Sequence, residues 1–192
     1  MIGRGTHIPE LPLSNFDGST INGVWQLIVE DGFRRDGGSL NSWGLEICFE
    51  PDCNLTVTNV NNSGSGSLVE AINCAQPGET IALSSVLANS TINLGSNQMV
   101  IDKNLTITAI KSDNIIVNYS GDGSALVLNS GIDLNLIGFS LTSSSGNGET
   151  LQNNGNLTIT DLSIENTNGN SPIINVDGST LEVLGDCVII DN

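Results

Sequence analysis

The side chains that could do chemistry are few and scattered along the chain. His7 is the sole histidine, and neither G-x-S-x-G nor H-E-x-x-H occurs, which argues against a serine–histidine–aspartate triad and against a zinc peptidase. Carbohydrate cleavage instead needs several carboxylates, or carboxylates together with a basic residue such as Lys or Arg, clustered on one face. The candidates by residue type are Asp122, Asp133, Asp161 and Asp177. No Lys or Arg follows Lys111, so we expect no catalytic set within this chain.

A short apolar pattern recurs in the second half of the chain and would position those carboxylates. Apolar residues two positions apart stand at Leu105–Ile107, Leu134–Leu136, Leu157–Ile159 and Leu181–Val183, at successive intervals of 29, 23 and 24 residues. Alternation of this kind is typical of a strand with one buried face. Its near-constant interval predicts a repeat architecture in which the same buried position returns once per coil.

Two further apolar groups accompany each later pair, which makes three short strands per coil. Phe139 and Leu141, for example, follow the pair that begins at Leu134, and residues 125–128 precede it. A glycine stands at the corner before each of the last three pairs, at Gly131, Gly155 and Gly178. This layout predicts a parallel β-solenoid, in which the candidate carboxylates fall at different positions of their coils.

Composition supports this fold class and excludes some partners. Aromatic residues make up only 4% of the 192-residue chain, while Gly, at 22 residues, is abundant, so stacked Leu, Ile and Val rows must build the core. The formal charge of −16 repels phosphate backbones and argues against nucleic-acid binding. It fits a solvated extracellular surface instead. No segment approaches the roughly 18 apolar residues that a membrane span requires.

The four cysteines leave their pairing open. Cys48 and Cys53 flank Glu-Pro-Asp and could close a small loop in an oxidising environment, with free buried thiols as the alternative. Cys74 and Cys187 lie inside apolar patterns and are expected to be free thiols. No C-x-x-C spacing occurs, which makes a structural zinc site improbable.

The N-terminal part of the chain contains two alternating strands joined by a polar turn. Its run L-S-x-F-x-G-x-x-x-x-G-x-W-x-L-x-V-x-D, followed by D-x-G-x-L-x-x-W-x-L, resembles the C-terminal half of the proprotein convertase P domain (P/Homo B) over residues 11–49. The residues that carry the resemblance are Leu13, Phe16, Gly18, Gly23, Trp25, Leu27, Val29, Asp31, Asp36, Gly38, Leu40, Trp43 and Leu45.

This resemblance implies a partial jelly-roll β-sandwich over residues 1–50. The family is appended to subtilisin-like and other secreted peptidases, which implies a catalytic domain upstream in the same polypeptide. In the loops of such a domain, Asp17, Asp31 and Asp36 could bind Ca²⁺ through carboxylate oxygens; the alternative is that they only form turns. No other cofactor is expected.

Residues 54–83 lead from this segment into the solenoid. The pattern predicts a strand, a Gly/Ser loop, a brief helix with Leu68, Ala71 and Ile72 on one face, a Pro-Gly turn and a second strand. A helix before the first coil can cover its open end. The run V-T-N-x-N-x-S-G-x-G-S-L-x-x-A-I resembles the start of bacterial surface β-helices of the polymorphic outer-membrane and choice-of-anchor types. That resemblance implies a right-handed parallel β-helix over residues 51–192.

The last coil departs from the pattern. Asp186 stands where the earlier coils have Phe139 and Leu162, with Cys187 beside it, so either the corner is shifted by one residue or the acid points outward. The pattern continues to Asn192 without a polar cap, and we expect further coils or a cap in the parent protein.

Together these observations predict an all-β chain with three possible functions. The first is a non-catalytic part of a secreted or surface-anchored bacterial protein, used for structural display or adhesion to a host or matrix protein or a polysaccharide. The second is an accessory C-terminal region of a secreted peptidase. The third is a polysaccharide-active β-helix enzyme. Fold alone does not decide between them.

Overall fold

The computed structural model describes residues 53–144, 148–167 and 170–191, together with isolated positions at 24, 26–28, 39, 42 and 44. The chain divides into two units, residues 1–51 and 52–192. The predicted partial jelly-roll, and with it Trp25 and Trp43, lies outside the described residues. The second unit is described below by itself.

Fifteen short strands and one helix make up the described part of this unit. In chain order they are β1 (Thr56–Val57), α1 (Leu68–Cys74), β2 (Glu79–Leu83), β3 (Thr91–Gly95), β4 (Met99–Ile101), β5 (Leu105–Thr108), β6 (Ile116–Tyr119), β7 (Leu126–Leu128), β8 (Asp133–Ile137), β9 (Ser140–Ser143), β10 (Leu151–Asn153), β11 (Asn156–Thr160), β12 (Ser163–Asn166), β13 (Ile173–Asn175), β14 (Thr180–Leu184) and β15 (Val188–Asp191). Short 3₁₀ helices lie at Ser85–Leu87 and Lys111–Asp113.

The strands form three parallel sheets. Sheet A has the order β1-β2-β5-β8-β11-β14, sheet B the order β3-β6-β9-β12-β15 and sheet C the order β4-β7-β10-β13. Each coil from β2 onward therefore gives one strand in turn to sheets A, B and C, over about five turns. The prediction of a parallel β-solenoid with three short strands per coil is confirmed.

The predicted anchor pairs stack on one another in register. Leu105, Leu134, Leu157 and Leu181 are successive partners in sheet A, and the second residues of the pairs align in the same way. Alternate residues point inward, so each row becomes a column of buried side chains. Leu134 and Leu136 are both fully buried. The core is therefore a set of aliphatic columns, as the low aromatic content predicts.

Most variation between coils lies at the corners; a register shift between Asn93 and Gly95 in β3 is the exception among the described strand pairs. The long first interval is caused by residues 109–115, which connect β5 to β6 and include the Lys111–Asp113 helix. The corresponding connection in the next coil is only residues 138–139. Gly138 has a φ of +78°, and a Cβ there would collide with the carbonyl of Ala109. Only glycine fits that tight corner.

The departure in the last coil is resolved by an extra corner residue. Ser163 aligns with Val188, so Cys187, not Asp186, takes the position of Leu162. Gly185, with a φ of +66°, absorbs the insertion, and the Asp186 side chain is 94% exposed. Both expected alternatives therefore hold: the corner is longer by one residue and the acid points outward.

The predicted helix before the first coil is confirmed as α1. Leu68, Ala71 and Ile72 are buried in the same core cluster as the solenoid interior, and α1 packs on β1 and β2. The Ser67 hydroxyl accepts a bond of 3.2 Å from the Glu70 amide and so caps the helix N-terminus. At the other end, the Lys103 ammonium donates to the carbonyls of Asn73 and Ala75 at 3.1 and 3.0 Å.

The expectations for Cys53 and Cys74 were wrong. Cys53 forms a disulfide with Cys74, so it does not close a loop with Cys48, and Cys74 is not a free thiol. The bridge forms because α1 returns across the end of the coil and brings its last residue to the segment that precedes β1. Cys187 is a free cysteine, as expected.

A cavity in the middle coil should lower the stability of the solenoid. Leu134→Ala removes a fully buried side chain, and we expect a loss of about 2–5 kcal/mol in the free energy of unfolding, because neighbouring coils cannot collapse into the gap. Urea unfolding followed by circular dichroism measures this. The adjacent exposed residue provides the control: Asn135→Ala should change stability by less than about 0.5 kcal/mol. Equal effects of the two substitutions would contradict the proposed stacking.

Candidate functional site

A small notch lies where the corners between sheets A and B stack on one another. Its volume is about 130 Å³, and Lys111, Asn114, Asp161 and Asp186 bring the polar groups to it. The buried side chains of Phe139 and Leu162 form its apolar floor. We call this feature the Lys111 notch.

The backbone of the corners explains which residues line the notch. Gly138, Asp161 and Gly185 all have positive φ values, of 78°, 50° and 66°. Asp161 is the only one of these three with a side chain, and aspartate tolerates the left-handed conformation better than most residues. A Cβ at Gly185 would lie 2.5 Å from the Asp161 Oδ1 atom. The glycine therefore leaves room for the carboxylate.

Lys111 and the two aspartates form one ion-paired cluster across these corners. The Lys111 Nζ atom donates to Asp161 Oδ1 at 3.2 Å, to the Asp186 carbonyl at 3.3 Å and to Asp186 Oδ2 at 3.4 Å. The Asp186 amide donates to the same Asp161 oxygen at 2.9 Å. Because the longer connection at residues 109–115 carries Lys111 outward, its side chain reaches past Gly138 to the later coils.

The pKa shifts in the cluster favour its charged state. The backbone amide of Asp186 and then the Lys111 ammonium lower the pKa of Asp161 below its usual value. The bond to Asp161 raises the pKa of Lys111. The side chains of Lys111 and Asp161 are 49% and 39% exposed, so water screens the pair and its contribution to stability is small.

This chemistry suits binding or corner closure better than catalysis. A protonated lysine is neither a nucleophile nor a base, and a carboxyl group with a lowered pKa is a poor general acid. A glycoside hydrolase needs one carboxyl group whose pKa is raised so that it holds a proton. Asp161 has the opposite shift.

The structure separates the four carboxylates named from sequence. Asp122 lies between sheets B and C, where its carbonyl accepts a bond of 2.7 Å from the Tyr119 hydroxyl. Asp133 begins β8, Asp161 lies in the Lys111 notch, and Asp177 lies between sheets C and A. They occupy different positions of their coils, as expected, and do not form one site.

The calcium candidates Asp17, Asp31 and Asp36 lie outside the described residues. In the part of the chain that is described, no group of three or more His, Cys, Asp or Glu side chains is placed to hold a metal ion.

Sequence reasoning missed the partnership of Lys111 with Asp161 and Asp186. These residues are separated by 50 and 75 positions, so proximity along the chain gives no signal. Two observations could have found it: the long first interval marks an insertion at this corner, and Lys111 is the last basic residue of the chain.

A second polar feature, which we call the sheet A ladder, runs along the start of the sheet A strands. The side-chain amide of Asn156 donates to the Asp133 carboxylate at 2.8 Å, and the Thr180 hydroxyl donates to the side-chain oxygen of Asn156 at 2.9 Å. The side-chain oxygen of Asn104 accepts a bond of 2.9 Å from the backbone amide of Asp133. Four successive coils are thereby linked through exposed side chains.

Comparison with known proteins identifies only the N-terminal segment. Residues 4–47 match the family model for the proprotein convertase P-domain, which confirms the resemblance drawn over residues 11–49. The match covers less than a quarter of the chain and says nothing about the solenoid. No curated protein and no solved structure matches the chain significantly. Among the described residues, no helix has the length and apolar character needed to cross a membrane.

The ion-paired cluster predicts a pH-dependent contribution to stability. Since the pKa of Asp161 is lowered by folding, its contribution is present above the unfolded value of about 3.9 and is lost as pH falls through the lower folded value. Since the pKa of Lys111 is raised, its contribution is present below about 10.4 and is lost as pH rises through the higher folded value.

Lys111→Met should therefore lower the melting temperature slightly at pH 7, and the difference from the unsubstituted chain should shrink in strong acid to the part due to the Asp186 carbonyl. Thermal melts across pH measure this. Lys103→Met is the control, because Lys103 donates to backbone carbonyls that do not titrate, so its effect should persist in acid. A Lys111→Met effect that is unchanged in acid would contradict the role of Asp161.

Proposed function

We propose that this chain is a non-catalytic part of a secreted or surface-anchored bacterial protein, and that its solenoid serves structural display or adhesion. The observation that carries the proposal is the regular polar face of sheet A. Its strands lie in register, so their outward side chains form straight columns rather than a cleft. The partner classes that fit such a face are a polysaccharide or a host or matrix protein.

The central column shows the character of this face. It consists of Thr80, Thr106, Asn135, Thr158 and Glu182, aligned by the strand register. The sheet A ladder runs beside it. Coils repeat at about 4.8 Å, and alternate residues along a strand are about 6.6 Å apart. Hydroxyl and amide groups at fixed spacings can donate and accept bonds to a ligand that is itself periodic, such as a polysaccharide chain.

Charge narrows the range of ligands. With a formal charge of −16, the chain repels anionic polymers, so a neutral polysaccharide or a basic protein surface is the better partner. No aromatic residue occurs in the central column, so hydrogen bonding rather than ring stacking would provide the contacts.

An extracellular location is consistent with the cysteine chemistry. Structural disulfides persist in oxidising compartments, and Cys53 and Cys74 are paired. The P-domain match over residues 4–47 points the same way, because the resemblance implies association with secreted peptidases.

Adhesion through sheet A can be tested with a matched pair of substitutions. Asn135 in sheet A and Asn93 in sheet B are both exposed, and each makes one side-chain bond to a neighbouring coil. We expect saturable binding of the chain to at least one immobilised neutral polysaccharide or matrix protein. Asn135→Arg should weaken this binding at least about tenfold, which corresponds to about 1.4 kcal/mol. Asn93→Arg should leave it unchanged.

An equal loss of affinity in both variants would show that sheet A is not the binding face. If the chain binds no member of a broad panel of polysaccharides and matrix proteins, adhesion is excluded and structural display remains. Measurement of new reducing ends in the same incubations tests the third function. Release that depends on Asp161 would establish a polysaccharide-active enzyme and overturn the non-catalytic proposal.

The polysaccharide-active alternative has one observation in its favour. Folding places the Lys111 ammonium between two carboxylates, Asp161 and Asp186, although sequence proximity gives no such arrangement. The lowered pKa of Asp161 counts against this alternative, because the carboxyl group is ionised and holds no proton that it could donate as a general acid.

The accessory-region alternative depends on the P-domain match alone. It predicts that the gene encodes a subtilisin-like triad or a zinc-peptidase helix upstream of Met1. Sequencing of the parent locus measures this directly. A parent protein without a peptidase domain would exclude the accessory role and leave display or adhesion.

A further inference from the structure

The N-terminal end of the solenoid is covered by a helix that is too short to be stable by itself. Sheets B and C begin at β3 and β4, yet Ile92 and Met99 on these first strands are 0% and 4% exposed. They belong to the same buried cluster as Leu68 and Ile72 of α1. The helix is only seven residues long, and isolated helices of that length are unstable in water.

Few groups fix α1 in place. Ser67 caps its first turn, and Lys103 binds the carbonyls at its last turn. The Gly66 carbonyl accepts a bond of 2.9 Å from the Thr58 amide and so joins the loop before α1 to the end of β1. β1 has two residues and, among the described strands, pairs only with β2. Within the described residues, the one covalent cross-link is the disulfide between Cys53 and Cys74, which closes a loop that contains β1, the Gly/Ser loop and α1.

We propose that the Cys53–Cys74 disulfide is a redox latch on this cap: its reduction releases α1 and exposes the first coil while the later coils stay folded. The bond lies at the surface, since Cys53 is exposed and Cys74 is half-buried, so a dithiol can reach it. The later coils hold together through their own stacked strands and make no use of this link.

The reduction is an ordinary thiol–disulfide exchange. A thiolate of the dithiol attacks the exposed Cys53 sulfur; the disulfide breaks, and Cys74 leaves as a thiolate that takes a proton. The second thiolate of the reagent then attacks the mixed disulfide and releases Cys53, which is protonated in turn. The dithiol gives up two electrons and becomes a disulfide.

The expected effect is local and large. Closing a loop of about 20 residues is worth about 3 kcal/mol, so its loss raises the opening equilibrium of the cap by about 100-fold. The amides that should lose protection are those between β1 and β2, such as Ala82 and Ser84, and Ala75 at the end of α1. Amides between later coils, such as Gly138 and Asn156, should keep theirs.

Hydrogen exchange of the full chain, oxidised and after treatment with dithiothreitol, tests the latch when thiol counting verifies reduction. All variants also carry Cys187→Ser and Cys48→Ser, which prevents disulfide exchange with the other cysteines. The Cys53→Ser/Cys74→Ser variant should show the same amide protection as the reduced chain, and dithiothreitol should not change it. Unchanged protection of α1 in the fully reduced chain would overturn the proposal. Equal loss of protection in all coils would also overturn it, because the bond would then stabilise the whole solenoid.

Discussion

The in-register stacking of coils is the interaction on which the rest of the structure depends. An inward side chain is buried only when the coil that carries it is covered on both sides, by another coil or by the cap helix α1. Ile159 and Ile164 in the fourth coil are fully buried, while their partners Val183 and Ile189 in the last described coil are 48% and 47% exposed. Chemical type is nearly the same in each pair. Burial is therefore a property of the stack, and each coil stabilises its neighbours through nearest-neighbour contacts.

This constraint divides the chain into strands that must be uniform and corners that are free to vary. A slip of one residue along a strand would turn the apolar side chains outward. Among the described strand pairs, only β3 with β6 has a register shift, between Asn93 and Gly95. The other insertions lie at corners, as at residues 109–115 and at Gly185. The Lys111 notch arises from both insertions, since the first carries the lysine and the second presents Asp186. Specific chemistry in such a fold is built from irregularities.

The sequence predicts the parts of this fold that depend on local pattern. Alternation around Leu134, glycines at corners and the face of α1 are all visible in short windows, and each is confirmed. The disulfide and the notch were not predicted, because they join residues separated by 21 and by 50 or more positions. Asp161 could be named only by type. Its role required knowledge of which corners stack, and that follows from the register rather than from residue identity.

The N-terminal end of the described solenoid is closed by a helix and not by another coil. At the N-terminal end, α1 replaces a missing coil with three apolar side chains, and the backbone carbonyls at its last turn are satisfied by Lys103. Because a helix cannot pair with a strand edge, it covers the interior without continuing the sheets. A cap of this kind gains burial but not strand hydrogen bonds, so it needs another restraint. The disulfide of the described residues lies at the cap and not between coils, because the cap lacks the strand hydrogen bonds that join one coil to the next.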